Sequence, residues 1–576
     1  MTALDQPRSL IPGPLSTLQR IRNLGTESWI MLAGIVSLCA ALLALLVMPL
    51  YSLLSKAVED DKGAFVGLAN FQEYFSSAGL VQSIGNSLTI AGLTMVIACV
   101  LAFIFAYGIT RSCMPFKRTF RALATIPILA PSLLPAISLI YLLGNQGMIK
   151  GLLFGETIYG PIGIMIGMIF YIFPHVLMIM VTALSTTDAR LYEAAEVLGA
   201  GPVRIFFTVT IPGAIYGIVS AAVIAFTLTI TDFGVPKVIG GQYNVLATDI
   251  YKQVIGQQNF SMGAVVGLVL LLPAMFSFVI DRHVKKKQVA LLSARAVPYH
   301  PKPHKVRDRA LLAFCVLMSL FLIGILGTAA FASLVTFWPY DLSLTLAHYD
   351  FDAVDPNGWS SFYNSLKMAS FTAVVGVVVI FLGAYFVEKG RGFGRLRSGF
   401  HMLAMLPMAV PGLVLGLAYI FFFSRPENPL SVMYSTMTIL VLCTIVHFYT
   451  VSHLTMLTAL KQIDKEFESV SASLKVPFYK TMLRVHVPIC LPTISEVMMY
   501  LFVNAMTTVS AVVFIYSPDT KLAAISVLNM DDVGDTAEAS AMAMIIVLTS
   551  VTAKLLHGLI MKSFTARHSA WRQRTG

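Results

Sequence analysis

A chain of 576 residues that is 57% hydrophobic, only 12% charged and of mean hydropathy +0.78 cannot keep its apolar surface out of water as a soluble domain. The long apolar runs are continuous, which excludes the alternating strands of a membrane barrel and leaves membrane-spanning helices of about 20 residues each. The formal net charge of +11 is spread between apolar runs and has no basic domain behind it, so nucleic-acid binding is excluded.

Twelve spans follow in chain order, at 30–54, 88–109, 123–143, 161–183, 214–231, 262–281, 310–338, 366–387, 402–424, 437–459, 491–515 and 540–562. The expected fold class is an all-α polytopic membrane protein. The first run is too long and too deep in the chain for a typical cleaved signal peptide and reads as a retained span. With the N-terminus placed in the cytoplasm, the inside segments hold 31 Lys and Arg and the outside loops hold 7. That bias sets an orientation with both termini inside, and it brings the inside loops against anionic membrane lipid. The six cysteines include none in an outside loop, so no disulfide framework is expected.

The sequence repeats itself. Residues 188–212, DARLYEAAEVLGAGPVRIFFTVTIP, align without a gap on residues 464–488, DKEFESVSASLKVPFYKTMLRVHVP. Asn86-Ser87-Leu88 matches Asn364-Ser365-Leu366, and Pro127 and Pro131 match Pro407 and Pro411. Each half carries six spans, an even number, so the halves are parallel repeats. The expected organisation is a first half over 1–281, a basic proline-bearing cytoplasmic linker over 282–309, and a second half over 310–576. Spans 1 and 7 are the least alike and are expected outside a five-span core. The linker histidines His283, His300 and His304 read as solvated rather than as a metal site, and no metal site is expected elsewhere. The acidic outside loops 339–365 and 516–539 offer surfaces for an external partner or are ordinary solvated loops.

The inserts 188–212 and 464–488 read as short cytoplasmic helices. Asp188 suits an N-cap, Gly199 a left-handed C′ position, and Pro212 the start of the following helix. Leu191, Ala194, Ala195 and Leu198 make an apolar stripe that calls for a protein groove or, alternatively, the bilayer surface. Two matched inserts favour a paired protein partner.

Glu-Ala-Ala-x-x-x-Gly at Glu193–Gly199, before an apolar stretch ending in Ile211-Pro212, resembles the coupling loop of type I ABC importer permeases. The resemblance covers nearly the whole chain, as two permease halves fused in one polypeptide. It implies an ABC ATPase dimer that receives the two short helices and a periplasmic or extracellular solute-binding protein on the other face. It places the chain in a bacterial cytoplasmic membrane as a translocation subunit, not an enzyme. The coupling contacts would fall on Asp188, Glu193, Ala194 and Gly199, and in the second copy on Asp464, Glu468 and Leu474. That copy departs from the pattern: Ser469-Val470-Ser471 stands in place of Glu-Ala-Ala, and Lys475 replaces the glycine. The fused form resembles the ferric-iron and 2-aminoethylphosphonate branches, and residues 506–536 most resemble the latter. The expected cargo is therefore 2-aminoethylphosphonate or a related phosphonate, with ferric iron as the alternative. A twelve-span secondary transporter is the rival of another class, and it leaves the paired inserts unexplained.

The dipeptide Gly-Lys never occurs, so no phosphate-binding loop can form, and ATP and Mg²⁺ are expected only on the partner ATPase. A substrate pathway is expected from polar side chains inside spans: Tyr171 and His175 in span 4, Thr229 with Asp232 at the end of span 5, His447 and His453 in span 10, and Asn504, Thr507 and Thr508 in span 11. The rival reading is hydrogen bonding between packed helices. No catalytic residues are expected.

Overall fold

The computed structural model describes residues 25–60, 62–291, 297, 299–390 and 392–569. Among these residues it is an all-helical membrane architecture with one small hairpin, Val335–Phe337 paired to Asp341–Leu344. Nine unbroken helices are long and apolar enough to cross a bilayer. Three further spans are helix pairs bent at a short break, which makes up to twelve.

Three of the twelve expected spans are sharply bent. Span 3 is Lys117–Leu129 and Leu133–Leu143 at 103°, span 9 is Gly394–Ala409 and Gly412–Phe423 at 109°, and span 10 is Met437–His447 and Tyr449–Lys461 at 56°. The first two have a local cause. Ala130 precedes Pro131 and Val410 precedes Pro411, and a residue before proline is driven out of the helical region. Both take extended dihedrals, φ −103° ψ 143° and φ −106° ψ 115°. In span 10 the break falls at Phe448, which carries φ −94° ψ 10°.

Pro212 and Pro488 do not begin helices. The helices begin at Pro202 and Phe478 and run unbroken to Thr231 and Thr507. A π-helical turn lies just ahead of each proline, at Phe206–Thr210 and Met482–His486. A wider turn leaves room for the proline ring, which otherwise clashes with the preceding turn. The repeat extends to backbone detail, since Phe116 and Phe393 both have positive φ at matched positions before the third span of their half.

Spans 1 and 7 are exchanged between the halves. Span 1, Thr26–Ala57, packs on Gly358–Glu388 and Gly394–Met405 of the second half. A Cβ on Gly34 would meet the Phe386 ring at 2.7 Å. Span 7, Lys305–Ala332, packs on Ala78–Arg111, Lys117–Thr125 and Leu133–Leu143 of the first half. Gly108 there faces Cys315, whose sulfur would lie 3.2 Å from an added Cβ. Large apolar side chains such as Leu317, Leu320, Leu555 and Leu559 stay exposed on the outer helix faces, as a lipid-facing belt requires.

Candidate functional site

Each insert folds as a short capped helix. In the first, Asp188 accepts the Arg190 amide at 3.1 Å and caps Ala189–Val197. That amide holds the Asp188 carboxyl below its ordinary range. The helix ends with Gly199 at φ 73° and with Ala200 N donating to Ala195 O at 3.0 Å, a left-handed C-terminal closure. The second insert repeats this geometry. Asp464 accepts the Glu466 amide at 3.0 Å, and Val476 N donates to Ser471 O at 2.9 Å. Lys475 holds the left-handed position, with φ 52°.

Both helices expose apolar side chains: Leu191, Val197 and Leu198 in one, and Phe467, Val470 and Leu474 in the other. Glu193 and Ala194 are exposed beside them. The inward faces are built from three repeat-equivalent positions carrying different chemistry. In the first half Arg111 stacks over the Tyr192 ring at 4.9 Å, and the Tyr192 hydroxyl donates to Thr210 Oγ1 at 3.2 Å. In the second half those positions are Lys389, Glu468 and His486. Glu468 Oε1 lies 2.7 Å from Lys389 Nζ and 2.9 Å from His486 Nε2. Burial alone would raise the Glu468 carboxyl, but the Lys389 ammonium and His486 hold it below the usual range. Glu468 is therefore turned into the protein, in the place of Tyr192, rather than presented on the outer face as Glu193 is.

The stretch between the halves adds an asymmetry. Val297 O accepts the Ala189 amide at 2.9 Å, and the Tyr299 ring packs on Tyr192 with centroids 4.6 Å apart. Arg111 lies over the Tyr299 ring as well, at 4.4 Å, and Lys302 pairs with Glu196 at 2.5 Å. This strap lies on the first insert. Beside the second insert, the described residues leave a cavity of about 300 Å³ that includes Glu27, Ser471 and Lys475 on its wall.

A larger cavity of about 470 Å³ lies between the halves. Its wall holds Tyr171, His175, Asp232, His447, Asn504, Thr507 and Thr508, so seven of the nine residues expected on the pathway converge there. Thr229 does not: it is buried and donates to Ala225 O at 2.8 Å within its own helix. His453 turns away as well, its Nε2 lying 3.3 Å from His401 Nδ1. Asp232 Oδ2 accepts the Val235 amide at 2.9 Å, which fixes the carboxylate at the turn that ends span 5. His175 Nδ1 and His447 Nδ1 are buried without a hydrogen-bond partner.

The wall also includes Tyr500, Thr450 and Asp281, which the polar-residue reading omitted. Tyr500 lies four residues before Asn504, on the same helical face, so extending the 3.6-residue period by one turn finds it. Asp281 ends the predicted sixth span and accepts Ser220 Oγ at 2.8 Å.

Residues 98–289 and 389–565 match the family described as "binding-protein-dependent transport system inner membrane component". The chain belongs to this family, as two permease halves in one polypeptide, and is a multi-pass inner-membrane permease subunit of an ABC importer. It is 27% identical over 487 residues to a ferric transport system permease protein of Actinobacillus pleuropneumoniae, covering 81% of this chain and 69% of that one. It is 23% identical over 270 residues to a Salmonella typhimurium protein named for 2-aminoethylphosphonate transport, covering 45% of this chain and 92% of that one. Among solved structures it resembles a chain of a bacterial alginate ABC transporter crystallised with an alginate-bound periplasmic protein. That match has TM-score 0.38 and 16% identity, and covers 47% of this chain and 97% of that one.

Proposed function

We propose that this chain forms the membrane pathway of an ATP-driven importer of ferric iron. One observation carries the cargo. The ferric permease aligns across 81% of the chain, and so across both halves, whereas the phosphonate relative covers 45% at lower identity. This favours iron over the phosphonate reading drawn from residues 506–536. The cavity chemistry agrees, because Asp232, Tyr171 and Tyr500 offer the hard oxygen donors that suit Fe³⁺. Among the described residues no group of three or more His, Cys, Asp or Glu gathers into a metal cage. Scattered donors hold an ion loosely and let it leave.

In this reading the inserts and both termini face the cytoplasm, as the Lys and Arg bias requires. The exposed faces of the two inserts enter grooves on an ATPase dimer that binds ATP and Mg²⁺. A solute-binding protein delivers cargo at the opposite end and does most of the selection. Nucleotide binding then moves the halves about the cavity, and this chain hydrolyses nothing itself. The phosphonate reading keeps the likeness of residues 506–536 in its favour.

Two growth assays on a deletion strain separate the cargoes. The ferric reading expects lost growth and lost ⁵⁵Fe uptake under iron limitation, with growth on 2-aminoethylphosphonate as sole phosphorus source intact. The reverse pattern replaces it with the phosphonate reading.

A further inference from the structure

At the end of the molecule away from the inserts, the two halves build the same corner from different charges. Matched hydrogen bonds fix the correspondence. Asn86 Nδ2 donates to Asn244 O at 2.9 Å, and Asn364 Nδ2 to Lys521 O at 3.2 Å. Ser87 Oγ accepts the Leu246 amide, and Ser365 Oγ the Ala523 amide, both at 2.8 Å. Asn244 therefore stands at the place of Lys521, Asp249 at that of Ser526, and Ser77 at that of Asp355.

In the second half the corner is closed on itself. The Lys521 ammonium lies 2.9 Å from Asp355 Oδ2, and Ser526 Oγ donates to the same oxygen. Lys521 and Asp355 are 8% and 4% exposed. In the first half the carboxylate and the hydroxyl have traded sides and the ammonium is gone. Asp249 is 4% exposed, and its Oδ2 has no hydrogen-bond partner. One helical turn on, Gln253 is 8% exposed, and its Oε1 is equally unpartnered. Both residues line a cavity of about 390 Å³, together with Ser77 and Asn244. Lys252 stands on its wall, but its ammonium bonds Asn244 Oδ1 and not Asp249. The Ser83 hydroxyl bonds the Asp249 carboxylate, and the Lys252 charge acts on it from a distance. A buried carboxylate oxygen and a buried amide oxygen that lack donors are nonetheless both costly. Asp249 Oδ2 and Gln253 Oε1 share a cavity whose counterpart the other half fills with its own cation.

We propose that the first half binds a small monovalent cation in this cavity, between Asp249 Oδ2 and Gln253 Oε1, at the place the Lys521 ammonium takes in the second half. The site is acceptor-rich, so its guest is a donor-only or purely cationic species such as an ammonium or alkali ion. It is separate from the central cavity and does not depend on the cargo.

The test is thermal unfolding of the purified full-length chain at constant ionic strength. Methylammonium, K⁺ or Na⁺ replaces choline, a cation too bulky for close contact with both oxygens. At least one of the three is expected to raise the unfolding midpoint with concentration, as a ligand of the native state does. Asp249→Asn should abolish that rise. A triple variant, Ser77→Asp, Asn244→Lys and Asp249→Ser, rebuilds the second half's ion pair and should lose cation dependence while unfolding no lower than the wild type. Three outcomes overturn the site. The wild type shows no cation dependence and Asp249→Asn is as stable, in which case the carboxyl, which burial pushes above its ordinary range, is simply protonated. The dependence survives Asp249→Asn. Or it arises only when Lys252→Met removes a lysine that was already serving as counter-ion.

Discussion

Gly234 faces Ser132 so closely that a Cβ on the glycine would stand 2.2 Å from the serine hydroxyl oxygen. At the matched contact of the second half the residue types are inverted: Gly412 faces Ser510, and a Cβ there would stand 2.7 Å from Ser510 Oγ. Each contact joins the bend of a broken span to the turn after the fifth span of its half, and all four residues lie on the wall of the central cavity. One side must be glycine for the two loops to meet.

Gly234→Ala and Gly412→Ala should each push these loops apart, at the cost of about 1–3 kcal/mol typical of overpacking. Thermal unfolding of the purified chain measures the loss. Gly234→Ala with Ser132→Gly should recover most of it, since the pair then takes the order found in the second half. Equal stability of the single and double variants would show that the contact does not limit packing.

The left-handed closure of the inserts makes an asymmetric prediction. Gly199 adopts φ 73° without penalty, whereas Lys475 holds φ 52° with a side chain. Lys475→Gly should stabilise the second insert by up to about 1 kcal/mol, and Gly199→Asp should destabilise the first by a similar amount. Amide hydrogen exchange over 189–200 and 466–476 reads both directions. Slower exchange in Gly199→Asp would contradict the assignment.

Glu193 is exposed on the first insert and its counterpart is Ser469. Glu193→Lys should reduce uptake by the assembled importer while leaving the chain folded, because no core contact is lost. Ser469→Lys should reduce it less. Transport and ATPase rates in proteoliposomes compare the two. Unchanged coupling in Glu193→Lys would remove the first insert from the proposed ATPase contact.

A pH-dependent term resides where the halves meet at the end away from the inserts. Lys237 of the first half pairs with Asp532 of the second at 2.7 Å. Neighbouring Asp531 has its carboxyl pushed up to about 7 by burial and by Asp532, against a smaller lowering by Lys237. Unfolded, an aspartate ionises near pH 3.9. Between those values the folded chain holds a proton that the unfolded chain has released, so stability falls as pH rises from about 4 to about 7 and levels off above. Asp531→Asn should remove that slope. Unfolding midpoints at pH 5 and pH 8 should differ more in the wild type than in the variant; parallel curves would refute the assignment.

The parts of this fold legible in the sequence were those fixed by local chemistry. Continuous apolar runs gave the spans, Asp188 the start of the first insert's helix, and Gly199 its end, because each acts on its own backbone. What resisted reading depended on distant neighbours. Pro212 looked like a helix start because the π-helical turn that accommodates it has no sequence signature. Glu468 stood among the expected coupling contacts, yet Lys389 and His486, from elsewhere in the chain, draw it inward. Thr229 and Thr227 differ only in helical phase, and only Thr227 reaches the cavity. Phase relative to the partner half cannot be read from one span. The charge exchange between Asp249 and Asp355 was invisible for the same reason, since neither carries meaning until the corner around it is assembled.

The exchange of spans 1 and 7 sets a condition on how the molecule is made. Span 1 leaves the ribosome well before Gly358–Glu388 and Gly394–Met405, two of the helices it packs against. Until more than 300 further residues have been translated, its Gly34 face has only lipid to meet. Span 7 arrives with its neighbours already in the bilayer. A chain stopped at the end of the first half thus holds an opening helix that has met Phe260–Leu291 but not yet its second-half partners.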